Sequence, residues 1–272
     1  MGVVNLYGNP AGYERYMGRW SMTLAPAFLR FACLREPSAL LDMGCGTGSL
    51  VRAAAVSFPR AWLVGMDAVP DYLLHAKGTM VSGQAQFIAG LVEQMPFADG
   101  IFDGCLSLLL LQEIRERGPA LHEMRRVTQP GAVVAACQWD FDHGMPLSTA
   151  IREALQAVAP YMGENLGKRQ SGAFASEAEL QEHWEGAGLA EVETTRLVVT
   201  QSYTGFEDLW LPLLSGSTPV TAAVAALPPE AREEVRRRLR ERFLGEGGDG
   251  AFSLRAEAFA VRGRSTGPRA MA

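Results

Sequence analysis

An aspartate and three glycines at fixed spacing carry the first sign of chemistry in this chain: Asp42, Gly44, Gly46 and Gly48, in the segment LLDMGCGTGSL from Leu40 to Leu50. An apolar run that ends in an acid and continues with alternate glycines describes a strand turning tightly into a helix. Glycine suits that turn because a residue without Cβ lets the backbone bend sharply and lie against a ligand, while the helix that follows offers unpaired N–H groups. The segment reads as a cradle for a nucleotide-like cofactor. A dinucleotide fingerprint would run G-x-G-x-x-G, and here Ser49 stands where its third glycine belongs.

A second acid supports the cradle. Asp67 follows the apolar run Trp62 to Met66, and a carboxylate at the carboxyl end of a strand can accept both hydroxyls of a ribose. The other use of such an acid, capping the next helix, suits Asp71 in PDYLL better. By itself Asp67 fits NAD as well as any other nucleoside.

Acid–base chemistry has fewer candidates. Glu113, Asp140, Asp142 and His143 fall near predicted strand ends, where a base within about 3 Å of an acceptor could take its proton. His143 titrates nearest neutrality and is the natural catalytic base, with Asp140 beside it as a catalytic or pocket residue. The segment WDFDHG, followed by Gly144 and Pro146, reads equally well as an exposed loop. His75, His122 and His183 have no partners at metal-ligand spacing and lie in predicted helices, which makes them surface residues. Cys33, Cys45, Cys105 and Cys137 are far apart without a C-x-x-C pair, so neither zinc nor a disulfide is expected.

These residues must be held by a regular frame. Predicted strands at 39–43, 61–66, 85–89, 103–110 and 132–138 alternate with helical stretches. That alternation marks an α/β, doubly wound, mostly parallel sheet, whose ligands lie at the carboxyl ends of the strands. Further on, Arg152 to Tyr161 is helical, and Ser176 with Glu179 forms a capping box ahead of a helix and a strand. Ser253 to Val261 alternates as the last strand, and the helix-like stretch from Phe206 to Leu244 interrupts the final strand pair. That insert, together with an N-terminal lid over residues 1–35, is expected to cap the substrate pocket, with the cofactor core at 36–140 and the rest of the sheet in 141–272.

Composition sets the outer limits. The chain has 272 residues, 48% of them hydrophobic, enough for one domain of 1–272 with a large core. It contains no apolar run approaching the roughly 20 residues that span a bilayer and no secretory signal pattern, so a cytoplasmic protein without a membrane partner is expected. Net charge is −5 with scattered basic residues, which argues against nucleic acid, whose affinity comes from clustered Lys and Arg. The run Arg236, Arg237, Arg238 is interleaved with Glu233, Glu234 and Glu241 at helical spacing and reads as a solvated helix face. A monomer or homodimer acting on a small molecule fits these limits.

The motifs taken together resemble the class I S-adenosylmethionine (SAM) methyltransferases, and within them the bacterial type 11 group, similar to the ubiquinone and menaquinone biosynthesis methyltransferases. The glycines run G-x-G-x-G after Asp42 as in motif I of that family. Gly90, Glu93, Pro96, Phe97, Phe102 and Asp103, in AGLVEQMPFADGIFDGCLSLLLLQ, match its adenine and sulfonium segment. Leu91 departs from it, standing where the family commonly has an acid, and Ala132 replaces a usual glycine. YERYMGRWS, from Tyr13 to Ser21, resembles the lid of the type 11 group. The resemblance implies a Rossmann-like, seven-stranded methyltransferase fold with SAM as cofactor and S-adenosylhomocysteine as product. It places Asp42, Gly44, Cys45, Gly46, Gly48, Asp67, Ala68, Gly90, Leu91, Val92 and Leu108 on the cofactor, with Tyr16 and Arg19 closing over it and Arg19 pairing its carboxylate. Trp20, Gln112, Glu113 and Trp139 would line the acceptor pocket. The competing functions are a SAM-binding regulator or scaffold without methyl transfer and, on the cradle alone, an NAD-type oxidoreductase.

Overall fold

The computed structural model describes residues 8–81, 83–114, 116–170, 174–245 and 247–267. Strands β1 (Ala39–Met43), β2 (Trp62–Asp67), β3 (Ala85–Ala89), β4 (Phe102–Leu108), β5 (Thr128–Trp139), β6 (Ala190–Tyr203) and β7 (Phe252–Arg264) form one sheet in the order β3-β2-β1-β4-β5-β7-β6. The pairings from β3 through β5 are parallel, and β7 runs antiparallel to both β5 and β6. The strand order reverses beside β1, which places the loop after β1 at the switch point where open α/β sheets take their ligands. The expected doubly wound sheet is thus present with seven strands.

The local reasons are plain in the sequence. All five residues of β1 are buried, as a central parallel strand covered on both faces requires. Helix α1 (Pro10–Tyr13) leads through a π-turn at Glu14–Gly18 into α2 (Arg19–Ala32). Helices α3 (Ser49–Ser57) and α4 (Pro70–Thr79) follow β1 and β2. One face of the sheet packs Leu40, Leu63 and Leu106 with Phe28 of α2 and Leu50 and Ala54 of α3. The other packs Leu41, Met43 and Phe102 with Met124 of α5 (Arg117–Val127) and Trp184 of α8 (Glu177–Gly186). Asp103 accepts from the N–H groups of Ser38 and Ala39, tying the start of β4 to the start of β1.

Several expectations are corrected here. The strand expected to reach 110 ends at Leu108, because Leu109 takes a left-handed φ of 65° and Leu111–Glu113 turns into a 3-10 helix. Asp71 lies inside the first turn of α4, whose N-cap is Val69. One helix expected at Arg152–Tyr161 is two, α6 (Pro146–Val158) and α7 (Pro160–Gln170). At Ser176 the hydroxyl accepts from Glu179 N, but the Glu179 carboxylate turns to Ala175 N instead of completing the box.

The stretch between β6 and β7 is helical as expected: α9 (Phe206–Trp210), a 3-10 turn at Leu211–Leu214, α10 (Pro219–Ala225) and α11 (Pro229–Leu244). Register shows where it sits. β5 ends with Trp139 opposite Ala258, while β6 and β7 continue to pair as far as Tyr203 opposite Phe252. The β6–β7 pair therefore overruns the carboxyl end of β5 and carries the insert there. Phe206, Trp210, Leu213 and Leu239 join Trp20, Leu24, Trp139 and Ile151 in one buried cluster. On α11, Arg237 and Arg238 pair with Glu234, and Arg236 pairs with Glu233 and with Glu207 of α9, a face neutralised on the helix and its neighbour. Among the described residues no helix is long and apolar enough to cross a membrane.

Candidate functional site

The loop after β1 is fixed by backbone bonds before any side chain acts. Gly44 N and Cys45 N both donate to Met66 O of β2, at 2.7 and 3.0 Å, and Gly48 N closes the turn on Cys45 O at 2.8 Å. Gly44 has φ 74°, and a Cβ there would stand 2.3 Å from Leu110 Cδ2. Gly46, at φ 52°, has nothing nearer than 3.9 Å to such a Cβ, so its face is open. A side chain would strain both backbones and fill the cradle.

Asp42 stands at the floor. It is buried, and among the described residues neither carboxylate oxygen has a partner at hydrogen-bond distance and angle. Burial holds its pKa well above the carboxylate range and the nearby Asp67 adds to the rise, while the N–H of Val51 near the start of α3 opposes it. An unpaired buried carboxylate is costly. Here it borders a cavity that Gly44, Gly46, Leu50 and Leu108 also line. Asp67 approaches the loop from β2, where its carboxylate accepts from Gly46 N at 2.8 Å and from Val69 N at 2.9 Å. Burial raises the Asp67 pKa and those backbone donors lower it.

Tyr13 and Ser21 roof the same cavity. The Tyr13 ring lies 5.2 Å from that of Tyr72, and burial pushes its phenol up to about 12, with Glu113 among the charges that face it. Arg52 joins roof to floor: it donates to Thr47 O of the cradle at 2.7 Å and to Glu14 of the π-turn at 3.1 Å. Sequence reasoning missed Arg52, Thr47, Ser49 and Leu50. The one available signal was that Arg52 lies four residues after Gly48, one turn into the cradle helix.

Of the residues expected on the cofactor, Asp42, Gly44, Cys45, Gly46 and Leu108 line this cavity. Gly48 is the N-cap of α3, where a Cβ would press on Ala76 of α4 at 3.1 Å. Gly90 N donates to Asp67 O, which brings the end of β3 beside the same acid. Ala68 is exposed next to Asp67, Val92 is buried, and Leu91 is 62% exposed. Tyr16 is buried in the core facing Tyr203. Arg19 is a correction: its guanidinium grips Asp208 of α9, donates to Ser202 O and lies over the Tyr203 ring, 4.8 Å from the centroid. It staples the N-terminal helix to the insert, and it is absent from the lining of the cavity.

On the acceptor side, Trp139 and Trp20 pack edge to face, and Gln112 Oε1 receives Trp139 N at 3.1 Å. Glu113 is exposed at the end of the 3-10 turn after β4. The two residues expected to be catalytic are placed differently from one another. Asp140 is buried and fully engaged, accepting from Asp142 N, His143 N and Arg196. That turn holds its chain instead of presenting a free base. His143 is exposed in the loop.

Comparison with known proteins agrees with this geometry. Residues 41–136, which span the cradle and β1 through most of β5, match the family model described as a methyltransferase domain. Demethylmenaquinone methyltransferase of Mycolicibacterium vanbaalenii is 26% identical over 170 residues, 58% of this chain and 71% of that protein. Malonyl-[acyl-carrier protein] O-methyltransferase of Dechloromonas aromatica is 29% identical over 193 residues, 68% of this chain and 67% of that protein. In fold, the chain resembles phosphoethanolamine N-methyltransferase 2 of Haemonchus contortus, solved in complex with S-adenosyl-L-methionine. The TM-score is 0.57 at 17% identity, over 97% of this chain and 60% of that one. With its glycine cradle at the switch point of a 3-2-1-4-5-7-6 sheet, this chain matches a methyltransferase domain over residues 41–136 and is an enzyme of the methyltransferase class.

Proposed function

We propose that this chain transfers the methyl group of SAM to a small-molecule acceptor held between the cradle, the N-terminal lid and the 206–244 insert. The observation that carries this reading is Asp42: two buried carboxylate oxygens without hydrogen-bond partners among the described residues, beside glycines whose φ values leave the cradle open. A carboxylate so placed suits an ammonium group, as an α-amino acid end supplies. The cradle residues therefore fit SAM better than NAD, whose pyrophosphate would meet Asp42 as a like charge.

SAM, when bound, supplies a methyl group on a positively charged sulfur, already activated for displacement. The remaining work falls to this chain and is mainly positioning and exclusion of water. Asp42 and Asp67 would hold the two ends of the cofactor, Asp67 exchanging the Gly46 N–H it now accepts for ribose hydroxyls. Tyr13 and Ser21 would close the roof, with Arg52 keeping roof and cradle in register. Trp20, Gln112, Glu113 and Trp139 would line the acceptor side. For an acceptor that loses a proton, the candidate base on the roof side is Glu113, whose charge faces Tyr13, while His143 is exposed in the loop after β5.

Titration calorimetry with SAM, S-adenosylhomocysteine and NAD tests the cradle. The expected result is binding of the first two without NAD. NAD binding alone would overturn the reading, and cofactor binding with no acceptor turnover across a broad screen would favour a regulator instead.

A further inference from the structure

One short segment bridges the two halves of the site. From Asn9, the N-cap of α1, through the π-turn to Arg19 at the start of α2, it meets the insert at both ends and the cradle in its middle. At the first end Asn9 Nδ2 donates to Ser215 O at 2.9 Å, and a Cβ on Gly12 would stand 2.8 Å from Ser215 Cβ. At the other end Arg19 donates to Asp208 and to Ser202 O, each at 2.8 Å, above the Tyr203 ring. Between them Glu14 pairs with Arg52 at 3.1 Å, both side chains largely shielded from water, and Tyr13 meets the Tyr72 ring. A Cβ on Gly18 would stand 2.9 Å from Glu14 Oε2, so glycine leaves room for that carboxylate beside the helix.

These bonds do more than packing requires. Trp20 and Leu24 already join Phe206 and Leu213 of the insert in one apolar cluster, whereas charged, directed bonds fix the angle and register of the segment. Arg52 in turn donates to Thr47 O and to Ser49 Oγ, and Thr47 and Ser49 line the cofactor cavity together with Tyr13 and Ser21. A cofactor there touches cradle and roof at once, so it favours the seated segment over any other position. Such a difference in contact is what lets a ligand shift an equilibrium. The shift reaches the insert because both ends of the segment are bonded to it.

We propose that Glu14, Arg52 and Arg19 are positioning residues that pass occupancy of the cradle to α9, and so set the insert side of the acceptor pocket when the cofactor is in place. This rests on the reading of the cradle as a SAM site. By linkage, an acceptor that draws the insert inward tightens the cofactor by the same factor.

Hydrogen exchange of the full chain, with and without saturating S-adenosylhomocysteine, tests the coupling and needs no acceptor. In the parent, the ligand is expected to slow the amides of the cradle and, by about fivefold or more, those of Phe206–Trp210. In Glu14→Ala and in Arg19→Gln the cradle slows as before while α9 no longer responds. Arg19→Lys, which keeps a charge for Asp208, restores part of the response. A staple that is only structural gives another result: α9 exchanges faster in the variants yet still slows with ligand by the parental factor. That result, or an α9 indifferent to the ligand in the parent, would overturn the proposal and leave the cofactor reading standing. The parent alone is able to overturn it, so a variant that fails to fold does not shield it. No effect of S-adenosylhomocysteine on the cradle, with no binding by calorimetry, would overturn both.

Discussion

Two acids end two strands of the same sheet and meet opposite fates. Asp42, in β1, is 6% exposed with no hydrogen-bond partner for either oxygen among the described residues, and Asp140, just after β5, is 3% exposed with three bonds. Burial is nearly equal, so burial alone does not separate binding from scaffolding. The difference lies in what surrounds each one. Asp42 faces glycines, which offer open space, whereas Asp140 is followed by two N–H groups that fold back on it and by an arginine from β6. A buried acid left unpaired beside a cavity points to a ligand, and one that is fully paired points to the chain's own structure.

The contrast can be broken most violently at the cradle. Gly44→Val should abolish SAM binding and also cost about 3 kcal/mol or more of stability, since it adds left-handed strain to a clash with Leu110. Calorimetry and a thermal melt read the two effects, and a stable variant that still binds would disprove the cradle. The cofactor effect should stand alone in Asp42→Asn: SAM affinity falls by about a hundredfold, with ligand-free stability unchanged or higher, because a costly buried charge is gone. A variant that melted lower with undiminished affinity would give Asp42 a structural role like that of Asp140.

Titration sharpens the same point. The folded pKa of Asp42 stands above its unfolded value. Its contribution to ligand-free stability is therefore full below about pH 4 and is lost as pH rises through the raised folded value. SAM affinity should climb over that upper window, as long as the α-amino group keeps its proton below about pH 8. Asp42→Asn should flatten both profiles, and a persistent slope in the variant would move the titration elsewhere.

Smaller effects are expected on the other side of the comparison. Asp140→Ala should lower stability by about 1–2 kcal/mol, by freeing two backbone donors and Arg196, with SAM affinity within about twofold of the parent. Weakest of all, Asp208→Asn should cost at most about 1 kcal/mol, because the Arg19 pair it breaks is partly exposed. The sign of its pH dependence is opposite to that of Asp42. Arg19 holds the Asp208 carboxyl below its ordinary value, so this stability is present above the unfolded pKa and lost as pH falls through the folded one. A Tm difference between the parent and Asp208→Asn that grew toward low pH would contradict that assignment.

Much of the cofactor half was legible because its information is local. Strand ends, glycine spacing and the acids at 42 and 67 lie on short stretches of chain whose periodicity fixes their geometry, and the strands at 39–43 and 85–89 match the structure at both ends. The acceptor half was legible only as helices in an insert. Arg19 looked like a carboxylate clamp because a guanidinium in a lid suits an anion, yet its partner is Asp208, 189 residues away. Asp140 and His143 looked alike as candidate bases, and only the three-dimensional course of the loop separates a bonded acid from an exposed ring.

The sequence by itself determined the sheet, the cradle and the acid beneath it, since each follows from hydrophobic period, glycine conformation and residues a few positions apart. Tertiary structure decided which polar groups remain unpaired: Asp42 is bare and Asp140 satisfied, and Trp20 and Trp139 reach one another from opposite ends of the first half of the chain. Pairing depends on contacts across large sequence separations, and no local pattern of residues records whether a buried donor or acceptor has found its partner.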